Sequence, residues 1–140
     1  MKHNLEELID IILSKSEQLE DELKRQSDLK GLTVKQLHCI QLIEEYRNPT
    51  LTELASGLGI TKPSVTVLIE KLVDKGFVKK VKSDTDRRSA HLHLTDRGEK
   101  ASCLHKEVHS QFAEKLAQNL SEPEKDKLVV LLNKAVKSIK

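Results

Sequence analysis

A mainly α-helical fold carrying one small β-hairpin is what this 140-residue sequence predicts, and three observations predict it. Apolar residues recur at three- and four-residue spacing through most of the chain. Thr or Ser heads successive helical runs, with Gln or Glu three residues on in three of them. A single pair of short alternating runs, separated by a charged stretch, interrupts that pattern once.

The first run, Leu5 to about Leu29, sets Leu5, Leu8, Ile12, Leu19 and Leu23 at helical spacing, and Ile9, Ile11 and Leu13 widen its apolar face. A helix apolar on more than one side needs burial on both, which points to a second chain. Gly31 is its natural stop. Thr33 with Gln36 boxes the start of a second helix striped by Leu37, Ile40 and Ile43, and Asn48-Pro49 closes it. Thr50 with Glu53 starts a short third helix, Leu51 to about Gly57, which Gly57-Leu58-Gly59 breaks. Thr61 caps a fourth, with Pro63 in the first turn, where its missing N–H is harmless. Val65, Leu68, Ile69 and Leu72 form that helix's buried stripe, and Gly76 stops it. Phe77 to Val81 and Ala90 to Leu94 read as a hairpin around a polar tip, residues 82–89. Thr95 caps a long helix to about Asn119. Ser121 with Glu124 caps the last one, again apolar on more than one face between Leu128 and Ile139.

Composition narrows the function. The length fits one domain, and the longest wholly apolar run, Leu128 to Leu132, is too short to span a membrane. Charged residues among the first twenty argue against a secretory signal, and two cysteines without a C-x-x-C argue against a disulfide scaffold or zinc finger. A cytoplasmic protein is expected. With Tyr46, Phe77 and Phe112 as the only aromatics, no platform for stacking single-stranded bases can be built. Net charge is +2, but it is unevenly spread. Residues 61–97 hold nine basic and five acidic side chains, leaving 15 of the 24 basic and 17 of the 22 acidic residues elsewhere. Local positive charge on a neutral body suits a polyanion.

Two short helices joined by a glycine turn and followed by a charged hairpin make a winged helix-turn-helix. Ala55 is small where the helices cross. The second of them can enter a major groove by its N-terminal end, presenting Thr61, Lys62, Ser64, Thr66 and Val67, with its positive dipole end near a phosphate. The hairpin carries Lys82, Arg87 and Arg88 toward a flanking minor groove. Taken singly, a capped helix is common and a charged loop is usually just solvated; their order and local charge together point to double-stranded DNA.

The run LTELASGLGITKPSVTVLIEKLVDKGFVKKVKSDTDRRSAHLHLTDRG resembles the MarR family of bacterial and archaeal regulators, and the likeness covers nearly the whole chain. Its specific part is the D-x-R tip, Asp86 and Arg88, followed by Leu94-Thr95. The resemblance implies that Asp86 positions Arg88 for the minor groove. It implies one domain over residues 1–140, with 1–31 and 96–140 as dimerisation helices and 33–95 as the DNA-binding lobe. It further implies a homodimer on a palindromic operator, a repressor rather than an enzyme, and an effector. Where such proteins often carry arginine or another polar residue, this chain has Val67, which cannot hydrogen-bond a guanine but can touch a thymine methyl. No G-x-S-x-G, glycine-rich phosphate loop or H-E-x-x-H suggests an enzyme instead.

His105 falls inside the apolar stripe of Leu104, Val108, Phe112 and Leu116, with His109 on its edge; an i, i+4 histidine pair suits zinc. The zinc-responsive branch of the family (AdcR/ZitR-type repressors) is similar here, and by position it implies Glu20, His38, His105 and His109 as one N/O site. That branch's second site falls on Gln26, Leu37 and Leu104, so no second metal is expected. Three alternatives stand beside this reading. One is a metal-free histidine cluster, one a small organic effector, and one a winged-helix adaptor that binds no DNA. Peroxide sensing is disfavoured, because Cys39 lies on an apolar face where a thiolate is costly.

Overall fold

The structure, a computed structural model, describes every residue except 1, 26–28, 30, 84, 86–88 and 140. Two compact units divide it, Met1–Val108 and His109–Lys140. The first unit holds α1 (Leu5–Arg25), α2 (Val34–Glu45), α3 (Leu51–Leu58), α4 (Lys62–Asp74), β1 (Val78–Lys82), β2 (Ala90–Leu94) and the start of α5 (Asp96–Ala117). The second holds the end of α5 and α6 (Glu122–Val136).

The caps read from the sequence set the helix starts. Thr33 and Gln36 form a full capping box on α2, and Ser121 and Glu124 form one on α6. Thr50 accepts from the Glu53 backbone N–H, but the Glu53 carboxylate takes the Thr50 hydroxyl proton rather than closing a box. Thr95 accepts from Gly98 N at the head of α5 and donates to Gly76 O at 2.6 Å, tying that helix to the end of α4. Gly98 is where the two come closest: a Cβ there would sit 2.1 Å from the Phe77 carbonyl oxygen, so only glycine lets α5 start against the sheet.

The expected end of α1 near Leu29 falls partly on residues 26–28, which lie outside the described residues; α1 is described as far as Arg25. Leu29 lies in a turn where Leu32 N donates to its carbonyl, and both leucines are buried in the core.

The core of the first unit fills the space between α2, α3, α4 and the hairpin. Ile40, Ile43, Leu54, Val65, Ile69 and Leu72 are fully buried there. β1 and β2 pair antiparallel from Val78↔Leu94 to Lys82↔Ala90, with Val78 and Leu92 facing the core. The hairpin is anchored to the α2–α3 connection as well. Leu92 N donates to Pro49 O at 2.8 Å, Thr50 and His91 form an antiparallel bridge, and His91 Nδ1 donates to Asn48 O at 2.9 Å. Donating that bond requires a proton on Nδ1.

The terminal helices behave differently. On α1 only Leu19 is buried, while Leu5, Ile9, Ile11 and Leu13 are exposed. On α6 no residue is buried, and Val129, Val130, Leu131 and Leu132 are exposed. Among the described residues no helix is long and apolar enough to cross a membrane.

Candidate nucleic-acid interface

α3 ends on Gly59 in the left-handed conformation (φ +67°), whose N–H closes the helix onto Ala55 and Ser56. Two residues later Thr61, in extended conformation, caps α4 and accepts from Ser64 N at 3.3 Å. The left-handed glycine and the extended threonine reverse the chain within three residues. Leu54 and Ala55 of α3 then pack into the core with Val65, Ile69 and Leu72 of α4. With that stripe inward, the N-terminal end of α4 stands in solvent, and Thr61, Lys62, Ser64 and Val67 are exposed while Thr66 is half-buried. Pro63 has no N–H and the Ser64 and Val65 amides already bond Thr61, so an anion at this end would meet the helix dipole and the Lys62 ammonium.

Exposed lysines continue beyond the helix start. Lys71 lies one turn on from Val67, and Lys79, Lys80 and Lys82 project from β1. The expected minor-groove residues Asp86, Arg87 and Arg88 lie outside the described residues; Lys82, at the base of that tip, is described and exposed.

A second group lies away from this face. His105 Nδ1 on α5 is 3.1 Å from Glu20 Oε1 on α1, both side chains largely buried. They border a small apolar cavity with Leu23, Leu29, Leu37 and Val108. The pair offers a carboxylate oxygen and an imidazole nitrogen within reach of one cation. His109 follows His105 by one turn of the same helix. The fourth expected ligand, His38, is exposed on α2, and it is Leu37 that lines the cavity. The reason is rotational: with Leu37 and Ile40 turned into the core, position 38 is carried about 100° away from it. Cys39 is buried, and burial pushes its thiol up to about 12, so it carries no thiolate at neutral pH.

One polar tie was missed in the sequence. Ser102, buried on α5, donates to Glu44 on α2, and Lys106 Nζ lies 3.1 Å from the same carboxylate oxygen. Together, first the Ser102 hydrogen bond and then the lysine hold Glu44 below the usual carboxylate range against the opposing effect of burial. A lone serine 58 positions from its partner leaves no sequence signal.

The glycine turn, the exposed helix start and the hairpin beside it define a winged helix-turn-helix protein. The sequence pattern of the MarR family matches residues 32–90. The uncharacterized HTH-type transcriptional regulator YkoM of Bacillus subtilis (strain 168) is 30% identical over 111 residues, 79% of this chain and 72% of its own. Among solved structures, Streptococcus pneumoniae FabT in complex with DNA is similar with a TM-score of 0.80 and 29% identity, 97% of each chain being covered. The reduced form of MarR from E. coli is similar at 0.71 and 26%, covering 97% of this chain and 98% of that one. The chain belongs to the MarR family.

Proposed function

We propose that this chain is a DNA-binding transcriptional regulator, acting as a homodimeric repressor on a palindromic duplex whose half-sites lie about one helical turn apart. The observation that carries this reading is the exposed N-terminal end of α4, with Thr61, Lys62, Ser64 and Val67 in solvent and its opposite face locked in the core. FabT, solved with DNA, shares the fold over nearly all of both chains. Homodimerisation is supported by the apolar surface of α1 and of α6, which one copy leaves uncovered. A cytoplasmic location fits a regulator of this family.

Duplex binding is read by fluorescence anisotropy against salt, and affinity should fall steeply as salt rises. Arg88→Ala should weaken binding by about 1–3 kcal/mol while leaving the fold intact. Unchanged affinity would show that the hairpin tip is merely solvated.

The effector we propose is zinc, held by Glu20, His105 and His109, in preference to a small organic molecule. The juxtaposition of Glu20 and His105 favours this: a carboxylate and an imidazole in a largely apolar recess form a hard-borderline donor set that suits zinc. The ion would supply a cross-link between α1 and α5, and α5 follows directly on the wing through Thr95. As a co-repressor, zinc should tighten DNA binding, and DNA should raise zinc affinity by the same factor. The coupling should fade in acid, because protonated imidazoles do not ligate. The check is DNA affinity with zinc and with chelator, for wild type and for the double variant His105→Ala, His109→Ala. Equal wild-type affinity in both conditions overturns the zinc reading and leaves DNA binding standing.

A further inference from the structure

From the surface of α4 we infer that its direct reading of base sequence rests on methyl contact, with Val67 seated against a thymine methyl in each half-site. This rests on the DNA-binding reading above and adds which base the helix selects.

Val67 is 51% exposed, and at 100° per residue it lies about opposite the buried stripe of Val65, Ile69 and Leu72. A helix laid in a groove with that stripe inward presents position 67 at the centre of its outer face. Ser64 lies one turn before it, with Glu70 and Lys71 one turn after, all exposed.

The hydroxyl protons flanking Val67 are already committed. Thr61 Oγ1 donates to Ser64 Oγ at 2.9 Å while accepting from Ser64 N. Thr66 Oγ1 donates to Lys62 O at 2.9 Å, an i−4 bond that occupies its proton. Between Thr61 and Asp74 there is no Arg, Asn or Gln to grip guanine or adenine with two hydrogen bonds, and Lys62 and Lys71 are the cations able to donate to a guanine. Near the helix start this leaves the Lys62 ammonium and the Ser64 hydroxyl as donors, and the branched Val67 side chain as the apolar reader. In the major groove thymine alone presents a methyl group, at C5. Exposed apolar surface on Val67 is therefore complementary to an A·T or T·A pair at that position.

The probe is a duplex library with a randomised centre, enriched on the wild-type protein, followed by replacement of each thymine in the enriched duplex with deoxyuridine. Uracil removes only the methyl and keeps every hydrogen bond. At one position per half-site, wild type should lose about fourfold in affinity, and about fifteenfold when both half-sites are changed. Val67→Ala should bind the thymine duplex more weakly and be indifferent to uracil at that same position. Three results overturn the inference. In the first, uracil has no effect at any position while the duplex is still bound. In the second, Val67→Ala keeps the full uracil sensitivity. Both leave the DNA-binding reading standing. In the third no duplex is enriched at all, and the DNA-binding reading falls with this one.

Discussion

α4 and α1 are both amphipathic helices, yet they end in opposite circumstances. α4 buries Val65, Ile69 and Leu72 within its own unit and shows solvent a largely polar surface interrupted by Val67 and Val73. α1 is longer and richer in leucine and isoleucine, yet buries Leu19 alone. The difference is one of partners. α4 meets α2, α3 and the hairpin in the same core, whereas most of α1's apolar surface meets nothing in a single chain. A winged lobe that completes itself and terminal helices that do not is the arrangement expected when the lobe reads DNA and the helices assemble copies.

The largest expected effect breaks the self-sufficient side. Phe77 is almost fully buried at the start of the hairpin, with the Arg97 guanidinium 4.4 Å from its ring centre. Phe77→Ala should cost about 3–5 kcal/mol in denaturant unfolding, because the surrounding core cannot collapse into the gap. A loss of less than about 1 kcal/mol would mean that the lobe is not the packed body described here.

A smaller effect sharpens the other side. Leu13→Glu on α1, or Leu131→Glu on α6, changes an exposed leucine. Either should shift the unfolding free energy of the lobe by no more than about 0.5 kcal/mol. Sedimentation should nonetheless show the dimer dissociation constant raised at least about tenfold, since each copy loses a buried leucine at the interface. An unchanged dimer would put the assembly surface elsewhere.

The smallest effect concerns the tie between α2 and α5. Glu44 is held below its ordinary range by Ser102 and Lys106, so its folded-state affinity for protons is lower than in the unfolded chain. Its contribution to stability is therefore present above the usual carboxylate range and lost as pH falls through it. Because Glu44 is largely solvated, the contribution is modest. Ser102→Ala should remove about 1 kcal/mol at neutral pH and flatten the acid limb of the stability curve. A variant with the wild-type acid limb would show that the hydroxyl does not hold Glu44.

Much of this was legible before any coordinates. Thr33-x-x-Gln36 and Ser121-x-x-Glu124 announced their helices because a capping box is a local interaction, complete within four residues. The two strands of the hairpin followed from alternation, though not their register, and the Thr61 cap from its place ahead of an apolar stripe. His38 shows the limit of a likeness in position, which gives the residue but not the rotation of its helix: with Leu37 and Ile40 turned inward, His38 is exposed.

The sequence by itself determined the order of elements, their caps, the glycine turn and the polar end of α4, since each depends on residues a few positions apart. Tertiary structure alone decided that Leu29 and Leu32 turn into the core and that Ser102 reaches Glu44 across 58 positions. Those outcomes are set by which surfaces share a core, and contacts that distant in the chain leave no periodic trace in it.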